Sequence, residues 1–268
     1  MYQLGWFSTA RGKGSRDLLT AVQDSIQHGE INAEIVFVFC SREPGESPET
    51  DLFLQLVDSY HIPLVSFSYQ KFKAKYGGRV DLDVPLPRWR LDYDREVMKL
   101  LERFHPDLCV LAGWMLVTGP DMCRKYKMIN LHPAAPDGPK GTWQQVIWQL
   151  IHARAQRTGV MMHLVTPELD RGPVVTYCTF SIRGKPFDQH WRKLETLPHE
   201  EPERQKTEES LFNLIREHGL KREFPLIIAT IKAFSEGQVK VVGGQAMDAA
   251  GKTIEGYDLT GEIDRAVA

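Results

Sequence analysis

Leu108-Cys109-Val110-Leu111-Ala112, followed by Met128-Ile129-Asn130-Leu131-His132-Pro133, are the two runs on which the fold turns. Each is short, apolar and bounded by turn residues, as a buried strand is. The second ends on an amide and an imidazole, which a purely structural strand does not need. Runs of the same kind recur at Leu4 to Phe7, Ala33 to Cys40, Pro63 to Phe67, Val160 to Val165 and Val174 to Ile182. Between most of them lie stretches with helical period: Ser15 to His28, Glu49 to His61, Asp92 to His105 and Trp143 to Arg154. The alternation predicts an α/β, Rossmann-like fold with a mainly parallel twisted sheet and helices on both faces. Ligands of such sheets bind beyond the strand ends, where Asn130 and His132 stand.

Further on, Arg183 to Thr207 loses the apolar period and reads as a surface excursion. Helical period returns over Glu208 to His218 and Glu223 to Glu236. Gln238 to Gly243 and Thr253 to Leu259 then read as two strands of a C-terminal β-hairpin around Asp248-Ala249-Ala250-Gly251. The expected organisation is a catalytic unit over 1–237, with the hairpin and tail of 238–268 packed on the same domain. No internal repeat or low-complexity tract occurs.

A formal net charge of −2 over 268 residues gives no general attraction to nucleic acid or to an anionic membrane, so small molecules are the expected partners. No run reaches the roughly 18 uninterrupted apolar residues that cross a bilayer. The chain enters a strand-like run at Met1-Tyr2-Gln3-Leu4 without a signal peptide, and a cytoplasmic location is expected. Cys40, Cys109, Cys123 and Cys178 lack CxxC spacing and are read as free thiols of a reducing compartment, mostly buried. Nothing in the sequence fixes an oligomeric state.

Ser8-Thr9-Ala10-Arg11-Gly12-Lys13-Gly14-Ser15-Arg16 joins the first strand to the first helix. Its glycines admit a ligand close to the backbone, the helix start offers unpaired N–H groups, and Arg11, Lys13 and Arg16 add positive charge. It is not a Walker A loop, and it lacks the third glycine of a dinucleotide fingerprint. The plainer reading is a β-to-α turn capped by Ser15, with no ligand.

Asn130 and His132 alternate across Leu131, so a strand presents both on one side and turns Leu131 inward. An imidazole exchanges protons near neutrality, and an amide N–H stabilises an oxyanion. Alone, an Asn-x-His pair is more often structural. Glu168-Leu169-Asp170-Arg171-Gly172-Pro173, between two strand-like runs, adds a carboxylate that could orient His132.

Arg11-Gly12-Lys13-Gly14-Ser15, Leu111-Ala112-Gly113-Trp114-Met115, Asn130-Leu131-His132-Pro133, Gly141, His163-Leu164-Val165-Thr166 and Glu168-Leu169-Asp170-Arg171-Gly172-Pro173 occur in the order and spacing of one family. Together they resemble the folate-dependent formyltransferases, above all those of purine synthesis, from Met1 to about Tyr257. The resemblance implies Asn130, His132 and Asp170 as catalytic residues and Arg11, Gly12, Lys13, Gly14 and Ser15 as the loop for the phosphate of glycinamide ribonucleotide. It implies a folate pocket lined by Trp114, Met115, Leu116, Val117, Pro167, Glu168, Leu169, Arg171 and Gly172. His163 falls near the active centre, with packing an equal reading. The implied co-substrate is 10-formyltetrahydrofolate, with no metal. The implied reaction is direct formyl transfer to a primary amine, with Asn130 and protonated His132 stabilising charge on the formyl oxygen and Asp170 keeping His132 cationic.

Departures from the family bear on the acceptor. Lys13 and Arg16 replace asparagines, Leu116 follows Met115 where an Arg is usual, and Trp143 stands where a His is usual. Leu220 lies five residues before Pro225, where the family has a ribose-binding Glu, and Glu217 lies one turn earlier. These leave open another amine, such as a nucleotide-linked amino sugar. A formyltetrahydrofolate hydrolase or a non-catalytic nucleotide-binding module are the other classes. Trp143, Trp148, Ile147 and Ile151 read as core at helical spacing, and Lys71 to Tyr76 as a solvated loop. His199-Glu200 is not an HExxH motif, because Glu203 stands at the second histidine position.

Overall fold

The computed structural model describes residues 1–77, 86–198 and 200–268, which leaves His199 outside the described residues. In chain order the elements are β1 (Tyr2–Ser8), α1 (Lys13–Gln27), β2 (Ala33–Cys40), α2 (Pro48–Ser59), β3 (Leu64–Ser66), α3 (Tyr69–Tyr76), α4 (Arg88–Leu100), β4 (Leu108–Leu111), α5 (Pro120–Lys125) and β5 (Met128–His132). There follow α6 (Trp143–His152), β6 (Arg157–Leu164), β7 (Val174–Ser181), α7 (Asp188–Thr196), α8 (Pro202–Ser235), β8 (Val239–Val242), β9 (Gln245–Asp248), β10 (Tyr257–Asp258) and α9 (Thr260–Val267).

Among the described residues one 8-stranded sheet runs β10-β7-β6-β5-β4-β1-β2-β3. It is parallel except where β6 runs against β5 and β7. The chain moves outward from β1 to β2 and β3, then returns to β4 on the other side of β1. That reversal makes a switch point at the C-terminal ends of β1 and β4, with β5 next to it.

Helices cover both faces because the strands are apolar on both. On one face α1, α2 and α8 pack Leu19, Phe53 and Leu226 against Leu4, Trp6 and Val110. On the other, α4 and α5 pack Tyr93, Val97 and Met122 against Phe7, Phe37 and Met128.

Several expectations change. Arg183 to Thr207 is no simple surface excursion: α7 buries Trp191 and Leu194 in a further core with Val146 and Leu150 of α6 and Leu211 of α8. Its short amphipathic period is hidden in the sequence by flanking charge and proline. The two helical stretches between Glu208 and Glu236 belong to one helix, α8, with Pro225 inside it. The hairpin pairs β8 with β9 through Gly243-Gly244, whose positive φ values of 59° and 77° suit the turn. The stretch read as its second strand instead supplies β10, which joins the main sheet beside β7. Lys71 to Tyr76 is helical, within α3, because Ser68 caps it by accepting from the Lys71 N–H. All four cysteines are free, with Cys40, Cys109 and Cys178 buried.

Candidate active site

Asn130 and His132 lie at the end of β5, and cross-strand register sets Asn130 opposite His163 and His132 opposite Met161. Their side chains share one side of the sheet, while Leu131 packs partly against the opposite core. His132 and His163 are each only 3% exposed, with ring centroids 6.0 Å apart.

Hydrogen bonding fixes the orientation of this cluster. His163 Nδ1 lies 2.9 Å from the Leu164 carbonyl, which only accepts, so Nδ1 carries the proton. Burial lowers the His163 pKa, and Nε2 of the neutral ring is therefore an acceptor. Asn130 Nδ2 stands 3.3 Å from that nitrogen and donates to it, which leaves its second N–H without a partner among the described residues. His132 Nε2 lies 3.4 Å from the Pro139 carbonyl, a long contact through which it donates.

Asp170 is brought to this group by the β6–β7 loop. Its carboxylate is 3.7 Å from His163 Nε2, so the histidine in contact with it is His163 and not the expected His132. Asp170 adopts φ 52°, a left-handed conformation that costs energy for a residue other than glycine. Gly172 permits the loop to close: a Cβ there would lie 1.7 Å from the Leu164 carbonyl oxygen. Pro167, Glu168, Leu169 and Arg171 are exposed around Asp170.

The β1–α1 loop and the segment after β4 are tied together at the switch point. Thr9 N–H donates to the Gly113 carbonyl at 3.1 Å, and Met115 N–H donates to Thr9 Oγ1 at 3.0 Å. Gly113 has φ 67°, and a Cβ there would meet Ser15 Oγ at 2.4 Å. Ser15 is thus packed under Gly113 and does not cap α1; the cap position is Gly12, with no side-chain cap. The first N–H groups of α1 stay open to an anion. Lys13 pairs with Asp17 and Arg16 with Glu49, each at 2.6 Å, while exposed Arg11 has no ion pair within 4.0 Å among the described residues.

Trp114 turns its ring inward against Phe7 and Phe39, at 5.7 and 6.0 Å between centroids. Met115 and Leu169 are 54% and 61% exposed, the two large apolar side chains left outside on the segments flanking the cluster. Leu116 and Val117 are half-buried. Sequence reasoning missed the Pro139 carbonyl, which has no side-chain signal, and Lys140, whose charge lies near enough to His163 to oppose its protonation. Glu217 is exposed and paired with Lys221, and the buried carboxylate of that stretch is Glu223. Trp143 and Trp148 are only partly buried, unlike Ile147 and Ile151, because the α6 stripe that faces the core runs through the isoleucines. Among the described residues no group of three or more His, Cys, Asp or Glu is placed to hold a metal, and no helix is long and apolar enough to cross a membrane.

An open helix start, an oriented amide and two imidazoles at a switch point are those of an α/β group-transfer enzyme. The chain belongs to the formyl transferase family, whose model matches residues 11–185. It is 28% identical over 174 residues to phosphoribosylglycinamide formyltransferase of Schizosaccharomyces pombe, covering 60% of this chain and 76% of that one. To the Escherichia coli enzyme of the same name it is 30% identical over 110 residues, 40% of this chain and about half, 51%, of the relative. The fold is shared with the Coxiella burnetii phosphoribosylglycinamide formyltransferase structure, with TM-score 0.66, 19% identity, and 96% and 98% of the two chains covered. It is also shared with a formyltetrahydrofolate deformylase of Pseudomonas syringae, with TM-score 0.60, 18% identity, and 92% and 65% covered.

Proposed function

We propose that this enzyme transfers the formyl group of 10-formyltetrahydrofolate to the primary amine of glycinamide ribonucleotide, a step of purine biosynthesis, with Asn130, His132 and Asp170 as its catalytic residues. The observation that carries this reading is the orientation of the Asn130 amide. One of its N–H groups is taken up by neutral His163, and the other has no partner among the described residues, on the side of β5 that also carries the buried His132 ring. Two donors on one side of a strand end suit charge that develops on a formyl oxygen as an amine adds to its carbon.

His132 would exchange its long contact with the Pro139 carbonyl for that oxygen. Asp170, which faces the same His163 nitrogen as Asn130, would take up the proton of the attacking amine and return it to N10, directly or through water, as the bond from the formyl carbon to N10 breaks and tetrahydrofolate leaves. The folate supplies the activated formyl group. For its pterin the chain offers exposed apolar Met115 and Leu169 on either side of the cluster. For the acceptor phosphate it offers the uncapped start of α1 with Arg11 beside it. The names of the fungal and bacterial relatives favour glycinamide ribonucleotide. Leu220, 37% exposed where the resemblance expects a ribose-binding Glu, favours testing amino-sugar nucleotides beside it.

Incubation with 10-formyltetrahydrofolate, with and without glycinamide ribonucleotide, decides among these readings when tetrahydrofolate release is followed. Release that requires the nucleotide supports the proposal. Release with water alone makes the protein a hydrolase, and release only with another amine reassigns the acceptor.

A further inference from the structure

We infer that Arg216, held between the Glu223 carboxylate and the Trp143 ring, is a positioning residue for His132. It would act through the Pro139–Trp143 segment, and the inference rests on His132 being catalytic as proposed above.

The segment that follows His132 folds back on it, and the Pro139 carbonyl is the partner of the imidazole Nε2 at 3.4 Å. That carbonyl holds its place only if the rest of the segment does. Its far end is fixed at the start of α6. Thr142 and Gln145 form a capping box, with Thr142 N–H to Gln145 Oε1 at 2.9 Å and Gln145 N–H to Thr142 Oγ1 at 3.3 Å. The Gln149 amide holds the Lys140 carbonyl at 3.3 Å, and Gly141 turns the chain with φ 119°. Trp143 is the first helical residue after that turn.

What holds Trp143 comes from α8. The Arg216 guanidinium carbon lies 4.6 Å from the centre of its ring, and Phe212 lies 5.8 Å away on the same helix. The same guanidinium donates to Glu223 Oε1. Arg216 and Glu223 are seven residues apart, about 10 Å along a helix axis and beyond the usual three- or four-residue spacing of helical ion pairs. Arg216 must therefore reach along the helix surface, and on the way its guanidinium lies over the Trp143 ring. Glu223 is only 8% exposed, and its pKa is raised by burial against the pull of Arg216. A buried carboxylate of this kind needs its cation, so Arg216 cannot swing away without leaving it unpaired. A planar fork stacks and pairs at once, which the point charge of lysine does not. The chain of contacts is continuous: Glu223 to Arg216, Arg216 to Trp143, Trp143 along the backbone turn to Pro139, and Pro139 to His132.

The test uses the whole chain with ¹⁵N-labelled histidine. Two readouts are followed: formyl transfer and the His132 ring nitrogen shifts, which report which nitrogen holds the proton. Arg216→Met should lower kcat about tenfold while KM for the folate stays within about twofold, the signature of misplacement without lost binding. The His132 nitrogen shifts should move with it. Glu223→Gln, which keeps shape and removes the counter-charge, should shift both readouts the same way and serves if Arg216→Met does not fold. Trp143→Phe should recover most of the activity lost in Trp143→Ala, because an aromatic face remains. Folded Arg216→Met and Glu223→Gln with unchanged kcat and unmoved His132 resonances would overturn the inference. Absence of transfer in the unaltered protein would instead fail the proposed function, while the His132 spectra still decide the positioning.

Discussion

The carboxylate of Asp170 and the imidazole of His163 stand 3.7 Å apart, and the amide of Asn130 reaches the same ring nitrogen at 3.3 Å. One nitrogen of a neutral imidazole thus accepts from an amide and is faced by a carboxylate. This places His163 in the middle of the cluster, and the behaviour of the site depends on its protonation.

Because burial depresses the His163 pKa below 6.5, an unfolded chain takes up that proton before the folded one. The stability this group contributes is present above about pH 6.5 and is lost as pH falls through the folded value. Thermal denaturation between pH 8 and pH 5, followed for the native protein and His163→Gln, should show a shallower acid loss in the variant. Equal slopes would show that His163 is not held neutral.

Protonation of the ring also turns its Nε2 from acceptor to donor, which breaks the Asn130 contact. Activity should accordingly fall on the acid side in the native protein. Asn130→Ala and His132→Ala should each lower kcat on the order of 10²–10³-fold, the usual cost of one oxyanion donor. Their circular dichroism should match the native protein; near-native turnover in either would sink the assignment.

Arg11 is exposed without an ion pair among the described residues, whereas Lys13 and Arg16 are engaged with Asp17 and Glu49. Arg11→Ala should raise KM for a phosphorylated acceptor about tenfold, in line with a charge-assisted contact of roughly 1.5 kcal/mol, and leave KM for the folate alone. Lys13→Ala, which loses an exposed pair, should do less. The reverse order, measured by acceptor titration at fixed salt, would move the phosphate away from Arg11.

Gly172→Ala should be the most disruptive small change near the site, since its Cβ has no room beside the Leu164 carbonyl. The expected result is a protein that folds with the Asp170 loop displaced, or one destabilised by about 2 kcal/mol or more. Urea denaturation together with kcat distinguishes the two. Native stability with native activity would show that the loop does not need this close approach.

The strands β1 to β7 and the helices α1, α2, α4 and α6 were legible because each declares its own burial through its period, whereas short α3 and α5 were not; Asn130 and His132 declare a shared side by being two apart. The misreadings fall where local signal and tertiary use disagree. Trp191 and Leu194 of α7 lie among charges, so their burial shows only once α6 and α8 close over them. The period lapses between His218 and Glu223, yet α8 runs on through the gap because Leu211 and Ile215 before it and Leu226, Ile227 and Ile231 after it are held by tertiary packing.

By itself the sequence determined an α/β sheet, a glycine-bearing β1–α1 loop, and an amide and imidazole at the end of one strand, because these follow from neighbours in the chain. Only the tertiary structure decided that Asp170 faces His163, that the Pro139 carbonyl meets His132, and that Glu223 holds Arg216 over Trp143. Those contacts join segments on different strands, loops and helices. Which of them meet is set by sheet order and by how the loops close over the switch point, and no local period encodes that.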